Sequence, residues 1–350
     1  MKNIATQINS MFILGYKGEN PSKDIENLIK KNLGGVIFFA ENILNRENFK
    51  QTVKYLKSLQ ANIITSIDQE GGRVERTKNL PDKIEYIAPL DIINLPEEQI
   101  EKHYDILAQE LADLGINMNF APVLDIHSNP NNPVINNRAF GTDSFDVIKF
   151  SKIAKDSLQK FGIMTVGKHF CGHGEAGIDS HLDLPQIDLT MNQLEEHILP
   201  FRKAIEDGID AIMVAHVHFA AFDEEILPAS LSKNVIDYLK HDLSFEGLII
   251  SDDMVMGGVT KNYSSLEACI KAIKAGVEMF IFRDATPEVL SLLESIQTES
   301  QKDTELADKI SQASEKITKF KKKIELKPVF FDKYIAKKYI DSIKSKSKIQ

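Results

Sequence analysis

The sequence predicts an α/β protein of the (β/α)8 TIM-barrel type, built as a single domain with a C-terminal helical extension. Three observations carry this reading. Eight short apolar runs recur along the chain, each followed by a polar cluster and most then by an amphipathic, helix-length stretch. Most of the runs are continuous and rich in Val, Ile or Phe, the composition of strands buried on both faces. Several helix-length stretches end on a glycine just before the next run, where a left-handed residue ends a helix.

In chain order the strand candidates are residues 11–14, 35–40, 63–68, 116–124, 163–167, 211–215, 248–251 and 279–282. The first carries the weakest signal. Helix candidates between them include 48–60, 97–114, 145–161, 192–207, 234–241 and 265–275, with Gly115, Gly162, Gly208 and Gly276 as caps. Continuous strand–helix alternation argues for a parallel sheet, and eight units in one series argue for closure over an open sheet. The barrel is expected over residues 1–290. Residues 291–350 are expected to be a helical extension, helical to about Lys323, ending in a solvated, frayed lysine-rich tail.

The chain of 350 residues has a formal net charge of −9, which argues against a nucleic-acid partner held by a general basic field. Cys171 and Cys269 are its two cysteines, too few and too far apart for a disulfide framework, so a reducing compartment is expected. The first residues show no uninterrupted apolar core of a signal peptide, and no run of about 18 apolar residues appears. A cytoplasmic monomer with no membrane partner is the expectation.

In a β/α barrel the loops after the strand C-termini build the active site. The run at 63–68 leads into Asp68-Gln-Glu-Gly-Gly-Arg73-Val-Glu-Arg76, and the run at 116–124 into Asp125-Ile-His127 and later Asn137-Arg138-Ala-Phe-Gly141. The fifth run opens the segment KHFCGHGEAGIDSHLDLP, from Lys168 to Pro185. His216-Val-His218 and Ser251-Asp252-Asp253-Met254 follow the sixth and seventh. Charged groups at buried strand ends are costly unless paired or used.

Three readings of this rim compete. An acid/base and nucleophile site would use Asp252 and the Asp179-x-His181 pair, because a carboxylate beside an imidazole fixes its tautomer and favours the imidazolium. A metal site would use His216 and His218 with His169, His173 and Asp252. A non-catalytic sugar- or anion-binding module would use Lys168, Arg76 and Arg138. Taken singly, His127 and His216 read as hydrogen-bonded rim residues, Arg73 as a rim ion pair and Cys171 as a packed thiol. Taken jointly, Lys168, His169, Asp179, His181 and Asp252 sit on two strand-end loops of one rim and favour catalysis.

The segment from Lys168 to Pro185 resembles the signature of family-three glycoside hydrolases, most closely the β-N-acetylglucosaminidase branch with its KHFPGHG(D/N)T…DSH…LP pattern. Asp68-Gln-Glu-Gly-Gly-Arg-Val-x-Arg76, Asn137-Arg138-x-Phe-Gly141 and Ser251-Asp252-Asp-Met-x-Met256 resemble further family elements, in the family's order, so the likeness spans about residues 11–282. The short form without a signal peptide is similar to the cytoplasmic enzyme of Gram-negative cell-wall recycling. The resemblance implies a retaining exo-β-N-acetylglucosaminidase with Asp252 as nucleophile, His181 as general acid/base and Asp179 as the residue that polarises it. It implies that Asp68, Arg76, Arg138, Lys168 and His169 bind the terminal N-acetylglucosamine. The implied substrate is a peptidoglycan fragment (a muropeptide, or N-acetylglucosamine linked to 1,6-anhydro-N-acetylmuramic acid), with no cofactor and no metal. Cys171 stands where the family has proline, and Glu175-Ala176 where it has Asp-Thr or Asn-Thr. These departures touch loop stiffness and leave every proton-transferring group in place.

Retention needs a nucleophile on one face of the sugar and a proton donor near the leaving oxygen, usually two carboxylates about 5–5.5 Å apart. A histidine donor is a variant of that scheme, and an imidazole's ordinary pKa of about 6.5 suits both donation and later abstraction. Because a histidine does not repel an anionic acceptor as a carboxylate does, a phosphorylase is the alternative within the same chemistry. Gly172, Gly174 and Gly177 in the loop that carries His181 lead us to expect that it closes over substrate.

Overall fold

The computed structural model describes residues 3–347. Eight parallel strands form a closed barrel: β1 (Phe12–Leu14), β2 (Gly35–Phe38), β3 (Ile64–Ile67), β4 (Met118–Asn119), β5 (Met164–Phe170), β6 (Ala211–Val214), β7 (Leu248–Asp253) and β8 (Met279–Phe282). Each strand lies beside its sequence neighbours, and β1 closes the ring by pairing with β8, Phe12 opposite Phe280 and Leu14 opposite Phe282. The apolar runs sit where the sequence places them, although β4 keeps only two residues in register. The two short strands Gln186–Ile187 and His218–Phe219 pair with each other outside the barrel.

The surrounding helices follow from amphipathic spacing and from capping side chains. They are α1 (Ile4–Ser10), α2 (Lys23–Lys30), α3 (Arg46–Leu59), α4 (Pro89–Ile92), α5 (Glu97–Asp113), α6 (Ser144–Lys160), α7 (Met191–Glu206), α8 (Lys233–Asp237), α9 (Gly257–Thr260), α10 (Ser265–Ala275), α11 (Pro287–Ser300), α12 (Thr304–Lys321) and α13 (Lys333–Ser347). On α10, Ser264 and Glu267 form a capping box at the start, and Gly276 ends the helix at φ 109°, a conformation that carries no Cβ penalty for glycine. The other predicted caps, Gly115, Gly162 and Gly208, are also left-handed.

The C-terminal region differs from expectation. Residue 290 lies inside α11, the helix that follows β8 and completes the last β/α unit. The lysine-rich segment is a helix, α13, that buries Ala336, Ile340 and Ile343 and packs against α5. Apolar residues at i, i+4 and i+7 make one face sticky, and lysines on the other faces do not undo that. At the opposite end of the chain, α1 packs on α11 and α12. Ser10 Oγ meets Ser314 Oγ at 3.0 Å there, and the buried Lys321 ammonium donates to the Leu33 carbonyl at 2.9 Å.

The layer between barrel and helices is apolar. Phe12 stacks on Phe282 with centroids 5.7 Å apart across the seam, on the strand face opposite the cavity-lining Ile281, and all four residues of β8 are buried. Polar groups enter where the ladder breaks register: between Gly167 and Phe170 on β5, and between Met279 and Ile281 on β8 beside β7. The first break contains Lys168 and His169, and the second lies opposite the stretch of β7 that carries Asp252.

Candidate active site

A cavity of about 440 Å³ opens at the C-terminal ends of the strands. Asp68, Arg76, Arg138, Lys168, His169, His181 and Asp252 all line it. Asp179 is the one predicted site residue that does not, and it reaches the cavity through His181. Five segments of the chain therefore converge: the β3 end with its loop, the turn Asn136–Arg138, the β5 end, the β5–α7 loop and the β7 end.

One wall is a buried charge network. The Lys168 ammonium lies 2.8 Å from Asp68 Oδ1 and 2.6 Å from Glu70 Oε1. Arg138 donates to both Glu70 oxygens at 2.8 Å, a two-pronged pair that matches guanidinium to carboxylate geometry. Arg76 approaches Asp68 Oδ2 at 3.4 Å. Burial by itself would raise the pKa of Asp68 and Glu70; for Asp68, Lys168 and then Arg76 outweigh it, and for Glu70, Arg138 and then Lys168 do, so both carboxyls are held below their ordinary values. Burial disfavours the Arg138 charge, but Glu70 outweighs that and pushes its pKa up. The wall thus presents fixed charged donors and acceptors, held in place by one another, to whatever polar ligand enters the cavity.

Asp125 anchors the turn after β5. Its buried carboxylate accepts from the His169 backbone at 3.2 Å, the His173 backbone at 2.6 Å and His169 Nδ1 at 2.7 Å. His169 Nε2 then faces Arg138 at 3.4 Å. Burial would raise the Asp125 pKa, yet the two histidines outweigh it and lower it.

Asp252 is partly buried at the end of β7, and its Oδ1 accepts the Asp253 N–H at 2.7 Å. Burial again works against ionisation. His169, His216, the Asp253 N–H and Lys168 outweigh it, so the Asp252 pKa is lowered. The neighbouring Asp253 goes the other way: burial, reinforced by Asp252, pushes it up to about 7. Two adjacent acids are thereby split into one that stays ionised and one that holds its proton near neutrality.

The Asp179–His181 dyad is intact. His181 Nδ1 donates to Asp179 Oδ1 at 2.7 Å, and the His181 backbone N–H meets the same oxygen at 2.8 Å. Its imidazole is 62% exposed, open to both cavity and solvent. The loop is docked on the segment that follows the β7 acid: the N–H groups of Gly257 and Gly258 donate to the His181 and Ser180 carbonyls at 3.1 and 3.0 Å. A Cβ at Gly257 would stand 2.7 Å from the Leu182 carbonyl, so glycine permits the approach. His173 ties the loop from beneath through Nε2 to Ser180 Oγ at 2.8 Å. The family departures fit this packing. Cys171 and Ala176 are buried, and Glu175 accepts from Ser128 Oγ at 2.6 Å.

The histidines proposed as metal ligands do not converge. His216 uses Nδ1 with Ser230 Oγ at 2.7 Å and Nε2 with the Asp253 carbonyl at 3.2 Å, while His218 Nδ1 meets the Leu227 backbone. Among the described residues, no group of three His, Cys, Asp or Glu side chains is arranged to hold an ion. Arg73 makes no ion pair among the described residues: its guanidinium donates to the carbonyls of Val134 and Ile135. Glu70 and Asp125 are the site residues that sequence reasoning missed. Both follow a predicted strand end and are acidic, which is the signal that finds them.

The chain matches the Glycosyl hydrolase family 3 N terminal domain over residues 4–319. It is 34% identical over 270 residues to a β-hexosaminidase of Photobacterium profundum, covering 76% of this chain and 79% of that one. It is 32% identical over 282 residues to β-hexosaminidase A of Pseudoalteromonas piscicida, covering 74% of this chain but 47% of that longer protein. The fold superposes on a family 3 β-N-acetylglucosaminidase from Paenibacillus sp. with a TM-score of 0.88 at 30% identity, over 99% of this chain and 69% of the other. Among the described residues no helix is long and apolar enough to cross a membrane.

Proposed function

The chain belongs to glycosyl hydrolase family 3, and on that premise we propose that it is an exo-β-N-acetylglucosaminidase that retains anomeric configuration through a covalent glycosyl-enzyme. The observation that carries the reading is the shared cavity. Asp252, kept ionised, and His181, held by Asp179, open on one space whose wall is the Asp68–Glu70–Lys168–Arg138 network.

In this mechanism Asp68, Arg76, Arg138, Lys168 and His169 hold a terminal N-acetylglucosamine. Asp252 attacks the anomeric carbon as imidazolium His181 protonates the departing oxygen. His181, now neutral, then removes a proton from water, which attacks the same carbon, releases Asp252 and restores the starting configuration. Asp179 stabilises the imidazolium and fixes the tautomer. The substrate class we assign is a peptidoglycan fragment such as N-acetylglucosaminyl-1,6-anhydro-N-acetylmuramic acid, handled in the cytoplasm.

Incubation with a chromogenic N-acetyl-β-glucosaminide, followed by NMR of the first-formed sugar, tests the reading. The β-anomer is expected. An α-anomer, or near-normal turnover by Asp252→Ala, would sink it. The imidazole donor favours one second reading, in which inorganic phosphate replaces water, and formation of N-acetylglucosamine 1-phosphate would identify it.

A further inference from the structure

Arg283 follows directly on β8, lines the cavity and is exposed. Its guanidinium carbon lies 5.4 Å from the centroid of the Phe39 ring. Arg76 reaches the same ring, also at 5.4 Å, so the two cations are no more than twice that distance apart. The cations of the cavity wall are each answered by a carboxylate: Arg76 by Asp68, Arg138 by Glu70 and Lys168 by both acids. Arg283 has no ion pair among the described residues. The adjacent Asp284 is taken by Lys17 at 3.4 Å. Asp253 feels the Arg283 charge, but its carboxylate accepts from backbone N–H groups, those of Val255 at 3.3 Å and of Arg283, and not from the guanidinium.

A guanidinium laid on an aromatic face is held in place by the cation–π attraction, while its N–H fork stays free for a planar oxyanion. The interior cations are consumed by fixed acids, so Arg283 is the surplus positive charge at the cavity mouth. Its position indicates which part of a ligand it meets. The acids and cations that would hold the terminal sugar are buried or half-buried, whereas His181, the proposed donor to the leaving oxygen, and Arg283 are both exposed parts of the cavity lining, so Arg283 shares the open end towards which a leaving group projects. The terminal N-acetylglucosamine of the proposed reaction is neutral. An anion at this end must therefore belong to the leaving group.

We propose that Arg283, presented on Phe39, is a specificity-determining residue that receives a carboxylate carried by the leaving group. The inference rests on the glycosidase reading above and adds to it the residue that tells an anionic aglycone from a neutral one.

The test uses the full chain and two substrates of nearly equal size: N-acetylglucosaminyl-β-1,4-N-acetylmuramic acid and its uncharged carboxamide. The unaltered protein should favour the acid in kcat/KM by about tenfold, the value of one charge-assisted hydrogen bond at the weaker end of its range. That ratio should shrink as salt is raised, fall to near unity in Arg283→Met and recover in part in Arg283→Lys. Equal use of acid and amide by the unaltered protein would overturn this inference alone, and so would an equal loss on both substrates in Arg283→Met. Failure to cleave either substrate would overturn the glycosidase reading and this inference with it.

Discussion

Asp179 Oδ1 receives two hydrogen bonds from one residue, the backbone N–H and the Nδ1–H of His181. This clamp sets both the position and the tautomer of the imidazole, leaving Nε2 as the nitrogen that can exchange a proton with a ligand. Burial would raise the Asp179 pKa, but the two bonds from His181 lower it, so the clamp is ionised when the imidazole is charged. Asp179→Asn is expected to keep the loop in place and to lower kcat by roughly 10²-fold, within the usual worth of a positioned acid or base. KM should change little. Steady-state kinetics on the chromogenic substrate checks this, and a change confined to KM would contradict it.

Removing the proton donor should expose its role through leaving-group chemistry. In His181→Gly, glycosylation should slow by about 10²–10³-fold with a poor, alkoxide-like leaving group, and far less with a dinitrophenyl glycoside that departs without protonation. Pre-steady-state burst measurements separate this step from the later hydrolysis. Equal slowing with both substrates would argue against the acid assignment.

The buried network on the opposite wall makes a stability prediction. Glu70→Gln leaves Arg138 and Lys168 short of a charge they face at 2.6–2.8 Å, and breaking a buried pair in this way costs about 3–5 kcal/mol. Urea denaturation at pH 7 should show a loss of that order. The pH dependence has a definite sign. Glu70 and Asp68 are held below their ordinary values in the folded protein, so their stabilisation is present above the unfolded carboxylate range of about 4. It is lost as pH falls below that range towards their folded values. The Glu70→Gln variant should therefore lose less stability than the unaltered protein as pH falls from about 5 to about 3, the difference being on the order of 1–2 kcal/mol.

Glu75 carries the opposite sign. It is buried with Oε1 unpartnered, and burial pushes its pKa up to about 8. Its contribution is favourable while protonated and is lost as pH rises from the unfolded value near 4.3 through the folded value. Glu75→Gln should leave stability near pH 4 unchanged and raise it at pH 8, read as a higher Tm. A variant less stable than the unaltered protein at pH 8 would contradict the assignment.

Much of this architecture is legible in the sequence alone. Periodicity locates every barrel strand because parallel strands buried on both faces are written as continuous apolar runs. The polar rim is legible because charges at such strand ends are too costly to be accidental. Other features depend on distant partners. Nothing local to Glu70 tells that Arg138 and Lys168 will embrace it, and nothing local to Asp125 tells that a turn more than forty residues on will wrap around it. Arg73 misleads because a strand-end arginine resembles an ion-pairing one, whereas its partners are backbone carbonyls of the β4–α6 loop. The C-terminal helix is obscured by its lysines, although Ala336, Ile340 and Ile343 carry helical spacing.

The seam where β1 meets β8 has a consequence for how the protein is made. Phe12 leaves the ribosome about 270 residues before its register partner, Phe280, while α1 waits longer still for Thr304–Lys321 to cover it. At about 5–20 residues per second the delay is some tens of seconds. Throughout it, β1 keeps one edge of unpaired backbone N–H and C=O groups, flanked by wholly apolar side chains. The element that starts the barrel is therefore the one most in need of chaperone cover until the last helices emerge.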